Sequence, residues 1–254
     1  MSGIQNNIAG FTTSPRRLVS VVPSITELLY DLELDEEVLG ITKFCIHPDA
    51  WFRTKTRVGG TKKLHLEKIV ALQPDCIIAN KEENRKEDIE WLAAHTTVWL
   101  TEINTVNDAL KMIQDTGILT GQNEKASDIV RQIKSTFNPS PPQPPKVLYV
   151  IWKNPWMFAA KDTFIDSMLE KGGFQNILSV SRYPELSEEA IRLLQPDFVF
   201  LSSEPYPFKD SDIQYWKDLL PMASVKCVNG EFFSWYGSRM IQAFDYFRTL
   251  HEVV

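Results

Sequence analysis

The side chains able to do metal or covalent chemistry are few. Histidine occurs at His47, His65, His95 and His251, and no two stand three or four residues apart, the spacing that sets two imidazoles on one helix face around a metal. Cys45, Cys76 and Cys227 are odd in number and form no C-x-x-C pair, which argues against a disulfide framework or a thiolate zinc site. Cys76 and Cys227 sit in apolar runs and are expected to be buried thiols. Glu82-Glu83 could be paired carboxylates, but neighbours on a helix point apart, and two acids at a helix start suit its dipole. An enzyme would have to draw acid, base and nucleophile from Glu82, Glu83, Cys45 and His47, with Cys45 activated by a lowered pKa.

Motifs for common chemistries are missing. There is no G-x-x-x-x-G-K-[ST], and Gly59-Gly60 and Gly172-Gly173 are isolated pairs rather than a G-x-G-x-x-G fingerprint. G-x-S-x-G and H-E-x-x-H are also missing, so nucleotide use, serine hydrolysis and zinc proteolysis lose their usual support, and no cofactor is expected. Aromatic residues give a stronger hint, towards a binding surface. Trp152 and Trp156 bracket Lys153-Asn154-Pro155 after one predicted strand, and Phe232, Phe233, Trp235 and Tyr236 follow another. Tyr183 lies in a further loop. Large rings on loops mark binding surfaces more often than ordinary turns do. His47 and the segment Asn80–Arg85, with Lys81, Glu82, Asn84 and Arg85, also follow predicted strands, where open α/β sheets receive ligands.

The elements that must hold these residues are legible as short β-rich runs alternating with amphipathic helices. The runs are 18–22, 38–41, 76–79, 97–100, 147–152, 198–201 and 225–228. Four to six apolar or β-branched residues between helices predict mostly parallel sheets covered on both faces, an α/β fold. Ser24 with Glu27 three residues later predicts a capped helix start running through Leu28, Leu29 and Leu32. Thr105 opens another helix that carries Ala109, Leu110 and Ile113 and has Gly117 near its end.

One phrase occurs twice. Leu66 to Ile78 contains a short helix, Gln73-Pro74-Asp75 and an apolar strand, and Glu188 to Phe200 repeats that order around Gln195-Pro196-Asp197. Proline ends the helix in each copy. The echo predicts two lobes of related construction, 1–120 and 139–254, joined by one long helix over 121–138 whose apolar positions are Ala126, Ile129, Val130, Ile133 and Phe137. The proline-rich run from Pro139 to Pro145 then reads as an extended connection.

Composition closes off other classes. The chain is 43% hydrophobic and 24% charged, with 27 basic and 33 acidic side chains and a net charge of -6. Nothing suggests the basic footprint of a nucleic-acid partner. No apolar stretch approaches the ~20 residues of a membrane-spanning helix. The N-terminus shows no basic start followed by an apolar core, so the chain as it stands reads as cytoplasmic, or as a processed form behind a new methionine.

Taken together, these phrases resemble the class III periplasmic binding proteins of ABC importers, the helical-backbone metal receptors that take up cobalamin, ferric siderophores and haem. The resemblance covers roughly Arg17 to Phe247. It rests on Val21-Val22-Pro23-Ser24-Ile25-Thr26-Glu27-Leu28, Val58-Gly59-Gly60, the two Gln-Pro-Asp phrases and Gly172-Gly173-Phe174-Gln175-Asn176, and it is nearest to the cobalamin-binding branch. It implies a monomeric, extracytoplasmic protein that holds a small-molecule chelate in an interlobe cleft and delivers it to the permease. Glu67 and Glu189 match the family's permease-docking glutamates. Phe44, Tyr183 and Phe232 match aromatic positions against the corrin, whereas Thr61 stands where cobalamin binders place a tryptophan. Lys62, Lys63, Lys81 and Arg85 near the first lobe's mouth would favour an anionic ligand, such as a carboxylate-bearing chelate or haem propionates. Whether a protein side chain would ligate a metal stays open at this point. The alternative functions are a cytoplasmic ligand sensor or carrier on the same scaffold and, behind it, a cleft enzyme using Glu82, Glu83, Cys45 and His47.

Overall fold

The computed structural model describes residues 3–137 and 141–251; Pro139 and Ser140 of the proline-rich run lie outside them. The contacts divide the chain into two units. One comprises the residues up to Ile103, Asn107–Ser135 and Trp235–Ile241, and the other Asn104–Val106, Thr136–Ser234 and the residues from Gln242 onward.

The first unit contains β1 (Gly3–Gln5), β2 (Leu18–Ser20), α1 (Pro23–Asp31), β3 (Val38–Ile41), α2 (Asp49–Thr54), β4 (Thr56–Arg57), β5 (Gly59–Gly60), β6 (Lys63–Leu64), α3 (Leu66–Ala71), β7 (Cys76–Asn80), α4 (Lys86–Ala93) and β8 (Thr97–Thr101). Its main sheet has the order β1-β8-β7-β2-β3-β4 with every pair parallel, and β5 and β6 form a separate antiparallel hairpin. All five residues of β7 are buried, as expected of a central parallel strand with helices on both faces. Val19, Ile77, Val98, Ile89 and Leu92 meet in the core beneath α4.

Most of α5 (Val106–Thr120) and nearly all of α6 (Asn123–Thr136) group with this unit. Gly117 lets the two helices approach, because a β-carbon there would stand 2.4 Å from Cβ of Ala126. Ala126, Ile129, Val130 and Ile133 are buried, the apolar stripe anticipated from their spacing.

The second unit contains β9 (Lys146–Trp152), β10 (Met157–Phe158), α7 (Phe164–Lys171), β11 (Gln175–Asn176), α8 (Glu188–Arg192), β12 (Phe198–Ser202), α9 (Asp210–Leu219), β13 (Ser224–Val228), α10 (Glu231–Ser234) and most of α11 (Met240–His251). The sheet order is β10-β9-β12-β13, with β11 also on β9, and β10 is its antiparallel member. Leu148, Val150, Val199, Leu201 and Trp216 share the core.

The repeated phrase has a structural explanation. Asp75 accepts hydrogen bonds from the amides of Arg16 at 2.7 Å and Arg17 at 3.0 Å, and Asp197 accepts from the amide of Lys146 at 2.6 Å. Each Gln-Pro-Asp turn therefore ends a helix and fastens its strand to the start of the neighbouring parallel strand.

Three local expectations are corrected. Ser24 is not the N-cap of α1: the cap is Val22 with no side-chain bond, and Pro23 opens the helix. Proline is preorganised for the first helical position, which places Ser24 inside the first turn. Glu82 and Glu83 do not begin a helix; their amides bond Oδ1 of Asn80 in a turn, and α4 starts at Lys86. Cys227 is exposed, because β13 is the edge strand and only part of it is covered.

Candidate functional site

Parallel strands deliver their following loops to one edge of a sheet, and in the first unit β2, β3 and β7 are neighbours. The loop after β3 is anchored by Cys45. Its Sγ lies 3.1 Å from Oγ1 of Thr26 in α1 and 3.2 Å from Oγ1 of Thr42, and the residue is fully buried. Anchoring Cys45 inward leaves its neighbours Phe44 and Ile46 turned out, 49% and 45% exposed. Burial pushes the Cys45 thiol up from its ordinary value, against the hydrogen bonds from Thr26 and Thr42, so at neutral pH it is a thiol and not a nucleophilic thiolate. His47 is half-buried, its ring 5.6 Å from that of Trp235 and edge-on.

Asn84 organises the loop after β7. It is 5% exposed and uses its whole amide: Nδ2 donates to the carbonyls of Val21 and Thr61, each at 3.1 Å, and Oδ1 accepts the Asn80 amide at 2.9 Å. One side chain thus ties together the end of β2, the β5–β6 hairpin and the β7 turn. Thr61 is buried. The Lys62 ammonium donates to the Glu82 carbonyl, Lys81 pairs with Glu102, and Arg85 pairs with Glu87 at 3.5 Å. Two of the four expected cations are therefore compensated by carboxylates.

Trp235 and Tyr236 are buried on the segment Trp235–Ile241 of this unit. Arg239 clamps that segment to α1 with two hydrogen bonds to Glu27, at 2.8 and 2.6 Å, and its guanidinium lies 5.1 Å from the Trp235 ring. Burial pushes the Tyr236 hydroxyl well above its ordinary range, keeping it neutral.

In the second unit, Trp152 ends β9, is 39% exposed and meets Tyr206 edge-on at 5.4 Å. Trp156 is half-buried and stacks on Tyr215 at 5.2 Å, with its edge to Trp216. Lys153 covers it at 5.7 Å and pairs with the buried Asp212. Burial works against the Asp212 carboxylate, yet the Lys153 ammonium and the Lys209 amide hold it below the ordinary value. Tyr183 is half-buried beneath the Arg182 guanidinium at 5.4 Å. Phe232 lies on the short helix α10, 5.0 Å from Tyr246.

Both glutamates expected to dock are exposed in the first turn of a short helix, Glu67 in α3 and Glu189 in α8. Among the described residues, no three His, Cys, Asp or Glu side chains gather as a metal site, and no helix is long and apolar enough to cross a membrane.

This doubled α/β construction agrees with sequence comparison: the family model "Periplasmic binding protein" matches residues 18–218. The chain belongs to the periplasmic binding protein family. Among its relatives in that family is an uncharacterized ABC transporter substrate-binding lipoprotein of Bacillus subtilis, 26% identical over 199 residues. That match takes in 73% of this chain, which spans 63% of the lipoprotein's length. The vitamin B12-binding protein of Pectobacterium carotovorum is 24% identical over 240 residues, covering 90% of this chain and 86% of its own. The solved periplasmic vitamin B12 binding protein of Vibrio cholerae superposes with a TM-score of 0.79 at 20% identity, over 95% of this chain and 98% of that one, and shares the fold.

Sequence reading passed over several members of this binding protein's first-unit surface. Lys43, Arg57, Gly60 and His65 line a groove with Phe44, Lys62 and Lys63, and Ile46 is exposed beside Phe44. No periodicity marks these residues, because they come from a loop, a two-residue strand and a hairpin. The short β-rich stretch between Thr56 and Leu64 was the available signal.

Proposed function

We propose that this protein is the solute-binding component of an ABC importer, capturing a metal chelate or corrinoid of the cobalamin, ferric-siderophore or haem type. The observation that carries the reading is the pair of parallel-sheet units whose carboxyl-edge loops present Phe44 and Ile46 in the first and Trp152 in the second. Exposed apolar and aromatic side chains on loops held by rigid strands suit a large, partly apolar ligand. Phe44, His47, Lys62 and Glu82 of the first unit, and Trp152, Trp156, Tyr183 and Phe232 of the second, are the proposed contacts. Asn84 and Thr61 shape the loops. Trp235 and Tyr236 support His47 from behind.

Delivery would use Glu67 and Glu189, whose exposure on matching helices suits docking to cationic side chains of a permease. Such a role places the protein outside the cytoplasm. A non-catalytic role is supported by the protonated, doubly hydrogen-bonded Cys45. The test is a visible absorption spectrum of the purified protein after incubation with cyanocobalamin, haemin or a ferric carboxylate siderophore and removal of free ligand by gel filtration. Stoichiometric colour retained with one of the three is expected; no colour with any of them would overturn the reading.

A further inference from the structure

The groove beside Phe44 has a chemical character of its own. It encloses about 500 Å³ and is lined by Lys43, Phe44, Arg57, Lys62, Lys63 and His65 together with Gly59 and Gly60, with no acidic side chain. This gathering of cations occurs in a protein whose net charge is -6. Several cations elsewhere in the same unit are matched by carboxylates, as in Lys55 with Asp35, Lys81 with Glu102 and Lys125 with Glu33. Among the described residues, the cations of the groove are not. Lys62 donates to the Glu82 carbonyl, Arg57 to the Phe52 carbonyl, and Lys43 lies 5.0 Å over the Phe44 ring. Those partners satisfy hydrogen bonds but leave the positive charge uncompensated.

The backbone makes this crowding deliberate. Gly59 adopts φ +102, and a β-carbon there would stand 2.5 Å from the Lys63 carbonyl oxygen. At Gly60 a β-carbon would meet the Phe44 ring at 3.0 Å and the Lys43 side chain at 3.2 Å. Two glycines therefore allow a tight hairpin to press Lys62 and Lys63 towards Lys43 and the exposed ring. Clustered like charges repel, and a water-filled groove walled by them concentrates anions. Its volume falls in the range of small-molecule sites, roughly 300–1,000 Å³, rather than that of a single-ion pocket. The cations come from three chain segments, so one small anion would leave part of the lining unused.

We infer that the β5–β6 groove recognises a polycarboxylate arm of the ligand, with Lys43, Arg57, Lys62 and Lys63 as its carboxylate partners and Phe44 as its apolar wall. This rests on the reading of the protein as a chelate-binding component and narrows that ligand to an acidic one. The test uses the full ¹⁵N-labelled protein titrated separately with citrate, with trimethyl citrate and with inorganic phosphate. Saturable shifts of the Gly59, Gly60 and Lys62 amides are expected with citrate, weakening as ionic strength rises. Trimethyl citrate should cause none. The double variant K43Q/K63Q should weaken citrate by about tenfold or more, since charge-assisted bonds are lost, and K43R/K63R should restore it. Unshifted β2 and β7 amides will show that the variants are folded.

Silence towards citrate, indifference to K43Q/K63Q, or phosphate binding more tightly than citrate would each overturn the inference. The two readings fail separately. Citrate binding without retained colour sinks the chelate proposal and leaves the groove, whereas retained colour with no citrate response sinks the groove alone.

Discussion

Replacing Asn84 with alanine deletes three hydrogen bonds at once and leaves three backbone groups behind: the carbonyls of Val21 and Thr61 and the amide of Asn80. Those residues are 0%, 8% and 2% exposed, so water reaches them poorly. A net hydrogen bond is worth about 1 kcal/mol and an orphaned buried group costs about 1–3 kcal/mol, so the expected loss is about 2–4 kcal/mol after partial relaxation. Asn84→Asp should be no better, because it keeps the acceptor for Asn80 while aiming a carboxylate oxygen at two carbonyls. With two units, a single melting temperature does not isolate the effect. Native-state amide exchange does: Ile77 and Ile78 in β7 report opening of the first unit, and Phe200 and Leu201 in β12 report the second. Opening free energies should fall at Ile77 and Ile78 and hold at Phe200 and Leu201. A fall below about 0.5 kcal/mol in β7, the scatter of ordinary surface substitutions, would refute the assignment of Asn84 as the loop's clamp.

Other outcomes follow from the same geometry. Phe44→Ala should leave stability within about 0.5 kcal/mol, because the ring is half exposed, yet weaken chelate binding roughly three- to tenfold in a fluorescence-quenching titration; unchanged affinity removes Phe44 from the site. The Asp212 carboxylate is held below its ordinary value in the folded state, so its stabilising contribution is complete above about pH 4 and disappears as pH falls through the folded value. Urea unfolding read at β12 amides should therefore weaken on acidification more steeply in the wild type than in Asp212→Asn, and parallel curves would contradict the sign. The double charge reversal Glu67→Arg with Glu189→Arg should preserve ligand retention and abolish uptake through the cognate permease in proteoliposomes, since both side chains are exposed. Transport at the wild-type rate would dismiss the docking role.

Seven of the described strands, β2, β3, β7, β8, β9, β12 and β13, were readable because each lies in a run of apolar or β-branched residues that a doubly covered parallel sheet requires. The other six described strands, β1, β4, β5, β6, β10 and β11, have two or three residues each, too few for any period to show. Their positions follow from the partners beside them, as β1 follows β8 and β4 follows β3. Aromatic residues after strands were legible as site candidates for the same reason that strand ends were. Their division into exposed Phe44 and Trp152, stacked Trp156 and buried Trp235 was not, because it depends on partners distant in the chain.

Sequence by itself determined the α/β class, the duplicated helix–Gln-Pro-Asp–strand phrase and the family, because these depend on local period, on turn chemistry and on the order of short motifs. Tertiary structure decided which charges are compensated. Lys81 and Arg85 meet Glu102 and Glu87, while Lys43, Arg57, Lys62 and Lys63 meet no carboxylate among the described residues and line one groove. A lysine reads the same in a sequence whether it faces an acid or another lysine; the Coulomb energy that distinguishes the two depends on distance in space, which only the folded chain sets.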